Sequence, residues 1–168
     1  LITVLIFTLF KILGLQKIYN FIYTLMFSLL MYPSVGVPFV DHHATIFLLS
    51  AFCLFILGVK KKNEKYFFFI PSLLIIGFLC KQTPTTYGVF SIAFLGLIYL
   101  FNTNIKNFLL SVTYGSFLSL FFLIFFFYLT KIPTSDFLTQ YIYFAGSIGD
   151  YRFSNLKLDF YGIIHEFK

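Results

Sequence analysis

Charged residues are scarce in this chain, in which Lys, Arg, Asp and Glu together make up 11% of 168 residues. Soluble globular domains carry about 25% charged residues. Apolar residues make up 60%, which leaves too few polar groups to cover the surface of a soluble core. The composition argues against a soluble domain and predicts a protein embedded in a membrane.

The sequence has only two cysteines, and it also lacks a Gly/Ser-rich linker, an internal repeat and an initiator Met. Cys53 and Cys80 lie inside apolar runs without partners at metal-ligand spacing, so they indicate neither a disulfide framework nor a zinc site. No small-residue cleavage site follows the first apolar run, so we expect that run to be retained as a helix. The start inside an apolar run leads us to expect an internal fragment of a longer protein.

Six apolar runs without a charged residue account for most of the chain. They cover residues 1–10, 18–31, 44–59, 66–80, 87–101 and 108–130. The runs are continuous rather than alternating, which favours helices over barrel strands. Crossing the hydrocarbon layer takes about 20 helical residues, so the shorter runs need flanking Tyr and Lys side chains that reach the interface. The predicted fold is an all-α, polytopic transmembrane bundle of about six helices.

The lysines predict how these helices are oriented, because cytoplasmic loops of membrane proteins are enriched in Lys and Arg. The net charge of +6 therefore indicates topology rather than binding of nucleic acid. When successive loops are assigned to alternate sides, one side receives seven of the 12 cations: Lys11, Lys17, Lys60, Lys61, Lys62, Lys65 and Lys106. We predict that the 60–65 loop is cytoplasmic and that residues 41–43 are extracytoplasmic.

The composition changes after the last apolar run. We expect residues 1–131 to form a partial transmembrane domain and residues 132–168 an extracytoplasmic or interfacial segment. In that segment Phe137, Tyr141 and Phe144 recur at helical spacing. This pattern suits a helix lying in the outer interface, while the rising charge density suits the start of an external soluble domain equally well.

Asp41, His42 and His43 stand where the third apolar run begins, after a segment with two prolines and a glycine. An N-cap aspartate stabilises a helix by about 1 kcal/mol, so Asp41 has a purely structural interpretation. Asp41 with one histidine could instead orient a phosphate, a divalent metal ion or a catalytic carboxylate. Consecutive helical residues point about 100° apart, which argues against one metal ion bound by both histidines.

Two further cations are candidates for binding a phosphate. Lys81 ends the short 66–80 run and precedes the polar segment 82–86, which we expect to interrupt the membrane helices. It could neutralise a departing lipid phosphate, or simply extend toward the headgroups. Arg152 could also bind a phosphate through its forked guanidinium, but adjacent Asp150 is a local partner and favours a structural role.

The order of these segments resembles that of polytopic glycosyltransferases of the C-type fold. The resemblance covers about residues 18–102: Asp41-His42-His43-Ala44, an apolar helix, a lysine-rich loop, another apolar helix, and then Gly77-Phe78-Leu79-Cys80-Lys81-Gln82-Thr83. The group includes proteins similar to the dolichyl-phosphate-mannose protein mannosyltransferases and the lipid A aminoarabinose transferases. Archaeal oligosaccharyltransferase subunits have a similar Asp-His-His sequence.

The resemblance implies an enzyme of a bacterial or archaeal cell membrane that moves a sugar from an isoprenoid-phosphate donor to an extracytoplasmic acceptor. We predict Asp41 and His42 as catalytic residues and Lys81 and Arg152 as donor phosphate ligands, with membrane lipids and the lipid-linked donor as partners; Arg152 lies beyond the part of the chain that the resemblance covers. The resemblance does not specify whether the enzyme uses a divalent metal ion as a cofactor. The family's proposed base is an acidic residue, often in an acidic pair upstream, and no such pair occurs here. A transporter or flippase and a non-catalytic assembly subunit are the alternatives.

Overall fold

The structure, a computed structural model, describes residues 2–31, 40–101, 105–144 and 146–147. These residues are almost entirely helical and include no strand, which confirms the predicted all-α class. The chain divides into two compact units, residues 1–121 and residues 122–168, and each is described separately.

The described helices follow the apolar runs. They are α1 (Ile2–Ile12), α2 (Lys17–Leu30), α3 (Val40–Lys61), α4 (Lys65–Phe68), α5 (Ile70–Cys80), α6 (Gln82–Leu100), α7 (Ile105–Thr130) and α8 (Thr134–Phe137), with a π-helix at Leu138–Tyr143. In the described residues, three helices are long and apolar enough to cross a membrane, namely α3, α6 and α7. The chain is therefore a membrane protein.

Shorter apolar helices accompany these three, at α1 and over Lys65–Cys80. The latter corresponds to the 66–80 run, which the sequence predicted as one helix and which the structure divides into α4 and α5. Pro71, the second residue of α5, explains the break because it has no N–H to donate to the carbonyl one turn earlier.

Helix α3 lies at the centre of the first unit, and the α4–α5 segment packs against it in the opposite direction. Near the start of α3, Phe47 lies beside Gly77, where a Cβ would come within 3.4 Å of the Phe47 Cβ. Near the end of α3, Gly58 faces Phe67, where a Cβ would come within 2.8 Å of the ring. The two glycines let the helices approach closely.

Helix α6 runs parallel to α3. Leu48, in the first half of α3, packs against Gly88, where an added Cβ would overlap the leucine side chain. Farther along both helices, the rings of Phe55 and Tyr99 are 6.3 Å apart. The N-terminal ends of α3 and α6 therefore lie at one end of this unit, and their C-terminal ends lie at the other.

An aromatic cluster forms the core at the C-terminal ends of α3 and α6. Phe67 has no exposed surface. Its ring centroid lies 5.6 Å from Phe55, 5.4 Å from Tyr99 and 4.8 Å from Phe108. Because Phe108 belongs to α7, the cluster ties the first part of that helix to α3, α4 and α6.

In the second unit, α8 continues directly into the π-helix. The ring of Phe137 packs edge-on against Phe127 at 4.9 Å and stacks on Tyr141 at 5.0 Å. Phe137 and Tyr141 therefore share a helix face, as their spacing predicted. Residues 148–168 of the expected extracytoplasmic segment lie outside the described residues.

Candidate functional site

Asp41 lies in the first turn of α3. In the described residues α3 begins at Val40, so Asp41 lies inside the helix and its expected N-cap position was wrong. A carboxylate in the first turn still interacts favourably with the positive end of the helix dipole. The main-chain carbonyl of Asp41 accepts a hydrogen bond from the Thr45 hydroxyl at 2.8 Å, which directs Thr45 back toward the helix start.

Lys81 is the single non-helical residue between α5 and α6, and its backbone is extended. Its N–H donates to the Gly77 carbonyl at 2.9 Å, and its carbonyl accepts the Thr85 hydroxyl at 3.0 Å. The polar segment 82–86 was expected to interrupt the membrane helices but forms the beginning of α6. Pro84 fits there because the first four N–H groups of a helix have no intrahelical acceptor.

The Nζ of Lys81 forms an ion pair with the Oδ1 of Asp41. The two side chains remain 43% and 54% exposed, so the pair is open to solvent and ligands. Exposed pairs of this kind contribute about 0 to 1 kcal/mol to stability. The pair therefore contributes little to the stability of the fold. It shows that two candidate residues, 40 positions apart in sequence, lie at the same end of the bundle.

A cavity of about 280 Å³ adjoins this ion pair and is lined by Met31, Asp41, His42 and Thr45. His42 is half-buried, whereas His43 is exposed and does not line this cavity. The two imidazoles therefore have different surroundings, as their adjacent helical positions predicted. Among the described residues, no group of three or more His, Cys, Asp and Glu side chains is placed to hold a metal ion.

The local electrostatics favour an anion. The first turns of α3 and α6 meet at this end, and each helix N-terminus carries backbone N–H groups and the positive end of a dipole. Lys81 adds an ammonium group, and Asp41 supplies its counter-charge. A phosphate could take the place of the Asp41 carboxylate on Lys81, because helix N-termini and lysine both bind phosphate oxygens.

The lysine-rich loop lies at the opposite end of the same helix. Asp41 and Lys60 are 19 residues apart on α3, which corresponds to about 28 Å at 1.5 Å per residue. This length matches the hydrocarbon layer of about 30 Å. The candidate site and residues 60–65 therefore lie at opposite ends of α3, separated by about the length that a membrane-spanning helix needs.

Sequence reasoning identified Asp41, His42 and Lys81 separately but missed Met31 and Thr45, which also line the cavity among the described residues. Thr45 had a usable signal, because a residue four positions after Asp41 shares its helix face. Arg152, the other expected phosphate ligand, lies outside the described residues. Comparison with protein-family models, with curated proteins and with solved structures finds no match to this chain.

Proposed function

We propose that this chain is part of an integral membrane glycosyltransferase that moves a sugar from an isoprenoid-phosphate donor to an extracytoplasmic acceptor. The observation that carries the proposal is the ion pair of Asp41 with Lys81 beside the cavity that His42 lines. A lipid-linked phosphate requires a cation near headgroup level, and an acceptor arriving from water requires an open polar cavity next to it.

In this proposal the donor phosphate displaces Asp41 from Lys81. The bond from the anomeric carbon to the phosphate oxygen breaks, and its electron pair leaves with the lipid phosphate. Lys81 and the two helix N-termini stabilise the negative charge that develops there. Asp41, released from the ion pair, remains in the cavity that it lines with His42.

The acceptor hydroxyl or amine enters the same cavity and attacks the anomeric carbon from the side opposite the phosphate. The new bond forms as the old one breaks, and the configuration at that carbon inverts. The acceptor proton passes to His42 or Asp41, or to an acidic residue elsewhere in the parent protein, as the resemblance implies. General base catalysis of this type contributes about 10²- to 10⁴-fold to the rate.

The described polar residues inside the bundle give less support to a transporter. Buried Ser50 and Thr85 each donate a hydroxyl hydrogen bond to the main-chain carbonyl four residues earlier, at 2.8 and 3.0 Å. The hydroxyls of Ser72 and Ser119 bond to each other at 2.7 Å. These contacts serve helix packing, whereas a transport path would place polar groups toward a cavity near the midplane.

The proposal includes the orientation predicted from the cations. Residues 60–65 face the cytoplasm, and Asp41, His42 and Lys81 face the outside of a bacterial or archaeal cell membrane. The donor then approaches sideways from the outer leaflet. The structure supports the separation of the two ends along α3, and the assignment of sides rests on the excess of lysine in the 60–65 loop.

The lipid phosphate left by every such donor is a suitable probe, because it is the same whichever sugar is transferred. We expect purified protein in detergent to bind polyprenyl phosphate, and Lys81→Gln to weaken that binding about tenfold. A charge-assisted contact to phosphate is worth about 1.5 to 3 kcal/mol, and partial exposure of Lys81 brings the effect toward the lower end. Titration followed by native mass spectrometry measures both affinities.

Lys17→Gln serves as the matched control, because it removes one exposed lysine from the start of α2. Polyprenol without phosphate serves as the control ligand. The proposal is contradicted if Lys81→Gln and Lys17→Gln bind polyprenyl phosphate equally well, or if polyprenol binds the unaltered protein as tightly as its phosphate.

A further inference from the structure

A second cavity, of about 280 Å³, lies among α3, α5, α6 and α7, in the half of the first unit nearest the lysine-rich loop. Its lining is almost wholly apolar and includes Phe55, Ile70, Leu74, Gly96, Leu100 and Phe108. These residues belong to the C-terminal halves of α3 and α6, to the first two turns of α5 and to the first turn of α7. The cavity is therefore separate from the site of Asp41 and Lys81.

Among the described residues, a glycine and packed aromatic rings shape the wall of this cavity. Gly96 is buried on α6. A Cβ at this position would lie 3.5 Å from the Phe108 ring, which is an ordinary contact distance. Beside the cavity, Phe67 is fully buried and makes edge-on ring contacts with the lining residues Phe55 and Phe108. Gly96 therefore adds no side chain to the cavity wall.

The outer rim of the cavity faces the surroundings of the bundle. Val89, Ala93 and Leu97 line it at successive turns of α6 and are exposed, with Val89 at 39% and Leu97 at 56%. In a membrane, the molecules next to such a rim are lipid chains. An apolar cavity of about 150 Å³ stays dry and holds a benzene-sized ligand, so this one has room for roughly ten carbon atoms.

Two lysines begin near the level of the aromatic cluster, at the end of the cavity toward residues 60–65. Lys65 precedes Phe67 by two residues, Lys106 precedes Phe108 by two residues, and the rings of Phe67 and Phe108 are 4.8 Å apart. Two residues rise about 3 Å along a helix, so both lysines begin close to the level of the aromatic cluster. Both lysines are exposed, and a lysine side chain is long enough to place its ammonium group at headgroup level.

The basic loop beside this cavity has a fixed backbone. The N–H groups of Lys62 and Asn63 donate to the carbonyls of Val59 and Gly58 at 3.4 and 3.1 Å, which ends α3 in a Schellman motif. Lys62 has a φ of 49°, a position usually taken by glycine. Lys61 is held by the Tyr66 hydroxyl at 2.8 Å. The lysines of this loop are therefore presented on an ordered turn.

We infer that this cavity binds one acyl chain of an anionic phospholipid from the leaflet on the lysine side, with the lipid phosphate held near Lys65 and Lys106. The cavity supplies apolar contact for the chain, and the lysines supply the charge that selects an anionic headgroup. This lipid is distinct from the sugar donor, whose phosphate is assigned to the opposite end of α6.

The test is native mass spectrometry of the protein in detergent, titrated with phosphatidylglycerol or with phosphatidylcholine of the same acyl chains. We expect one phosphatidylglycerol to be retained per chain in preference to phosphatidylcholine. Gly96→Leu should reduce this retention about fivefold or more, because the new side chain occupies the space of the acyl chain. Ala93→Leu, on the exposed rim, should act in the same direction without requiring any change in the buried packing.

Gly146→Leu is the matched control, because nothing lies within 4 Å of a Cβ at that position. Replacing Lys65 and Lys106 together with Gln should reduce the preference for phosphatidylglycerol by about fivefold per lysine, whereas Lys17→Gln should leave it unchanged. Equal retention in Gly96→Leu, Ala93→Leu and Gly146→Leu would overturn the acyl-chain site. Retention without preference for phosphatidylglycerol, or a preference insensitive to Lys65 and Lys106, would overturn the headgroup assignment.

Discussion

Phe67 contributes more to the packing of the first unit than its position in the sequence suggests. It is one of three consecutive phenylalanines, 67–69, at the start of the 66–80 run. Phe67 is fully buried against Gly58 and three aromatic rings, whereas Phe69 is 55% exposed. Identical side chains two positions apart therefore have different energetic roles, which depend on helix packing rather than on hydrophobicity.

We expect Phe67→Ala to lower the free energy of unfolding by about 3 kcal/mol or more, as for other fully buried Phe→Ala changes. The loss follows from the cavity that remains when the ring is removed. Phe69→Ala should change the free energy of unfolding by less than about 1 kcal/mol, because its ring lies mostly outside the packed core. Denaturant unfolding in detergent compares the two variants, and equal losses would contradict the assignment of the core to Phe67.

The pairing of Asp41 with Lys81 shows which part of the candidate site was predictable. Asp41, His42 and Lys81 were predicted as site residues because polar groups are unusual beside apolar runs. The alternation of loops placed all three on one side. Their direct contact was not predictable, since it depends on α3 and α6 running parallel. That arrangement is set by Gly88 and its close fit to Leu48, contacts between distant positions of the chain.

Among the helices, α7 depends on one very close contact. A Cβ at Gly115 would overlap the main chain of Phe68, whose carbonyl carbon would be 3.0 Å away. One turn later, the Ser119 hydroxyl lies 2.7 Å from that of Ser72. Small residues four positions apart allow membrane helices to approach closely enough for such contacts. The pair Gly115 and Ser119 therefore defines the surface by which the first half of α7 packs.

We expect Gly115→Ala to lower the free energy of unfolding by about 1 to 3 kcal/mol, because a backbone neighbour cannot rotate away from an added methyl group. Gly96→Ala is the matched control, since its Cβ would meet the Phe108 ring at an ordinary 3.5 Å. It should be neutral or slightly stabilising, because alanine favours helix more than glycine does. Comparable destabilisation of both variants in detergent unfolding would contradict the close packing assigned to Gly115.

The positions of the helices were largely predictable, but two of their boundaries were not. Each apolar run lies in one or two helices because long charge-free segments satisfy their backbone groups internally in lipid. The break before α5 was not predicted, because the apolar run is continuous and Pro71 is the signal that indicates the interruption. The helical state of residues 82–86 depends on the packing of Thr85 against α5, which the sequence does not show. A Cβ at Gly77 would lie 3.2 Å from the Thr85 hydroxyl. Polar composition alone suggested a loop.

At the scale of the whole molecule, charge distribution and helix packing agree on two distinct ends in the first unit. The end that contains Asp41 and Lys81 has paired opposite charges. The end that contains residues 60–65 has four lysines and one glutamate. The sequence alone predicted this separation from loop alternation, and the parallel course of α3 and α6 provides an independent physical reason for it. The side of the membrane on which each end lies stays a prediction.

Cysteine labelling in intact cells tests that prediction. In a Cys53→Ala, Cys80→Ser background, His43→Cys places a thiol on an exposed residue at the start of α3, and Asn63→Cys places one in the lysine-rich loop. Neither substitution removes a lysine, so the charge bias that orients the chain is unchanged. A membrane-impermeant maleimide should label the His43→Cys variant in intact cells and the Asn63→Cys variant only after permeabilisation. The reverse pattern would move Asp41 and Lys81 to the cytoplasmic side and would remove the basis for an extracytoplasmic acceptor.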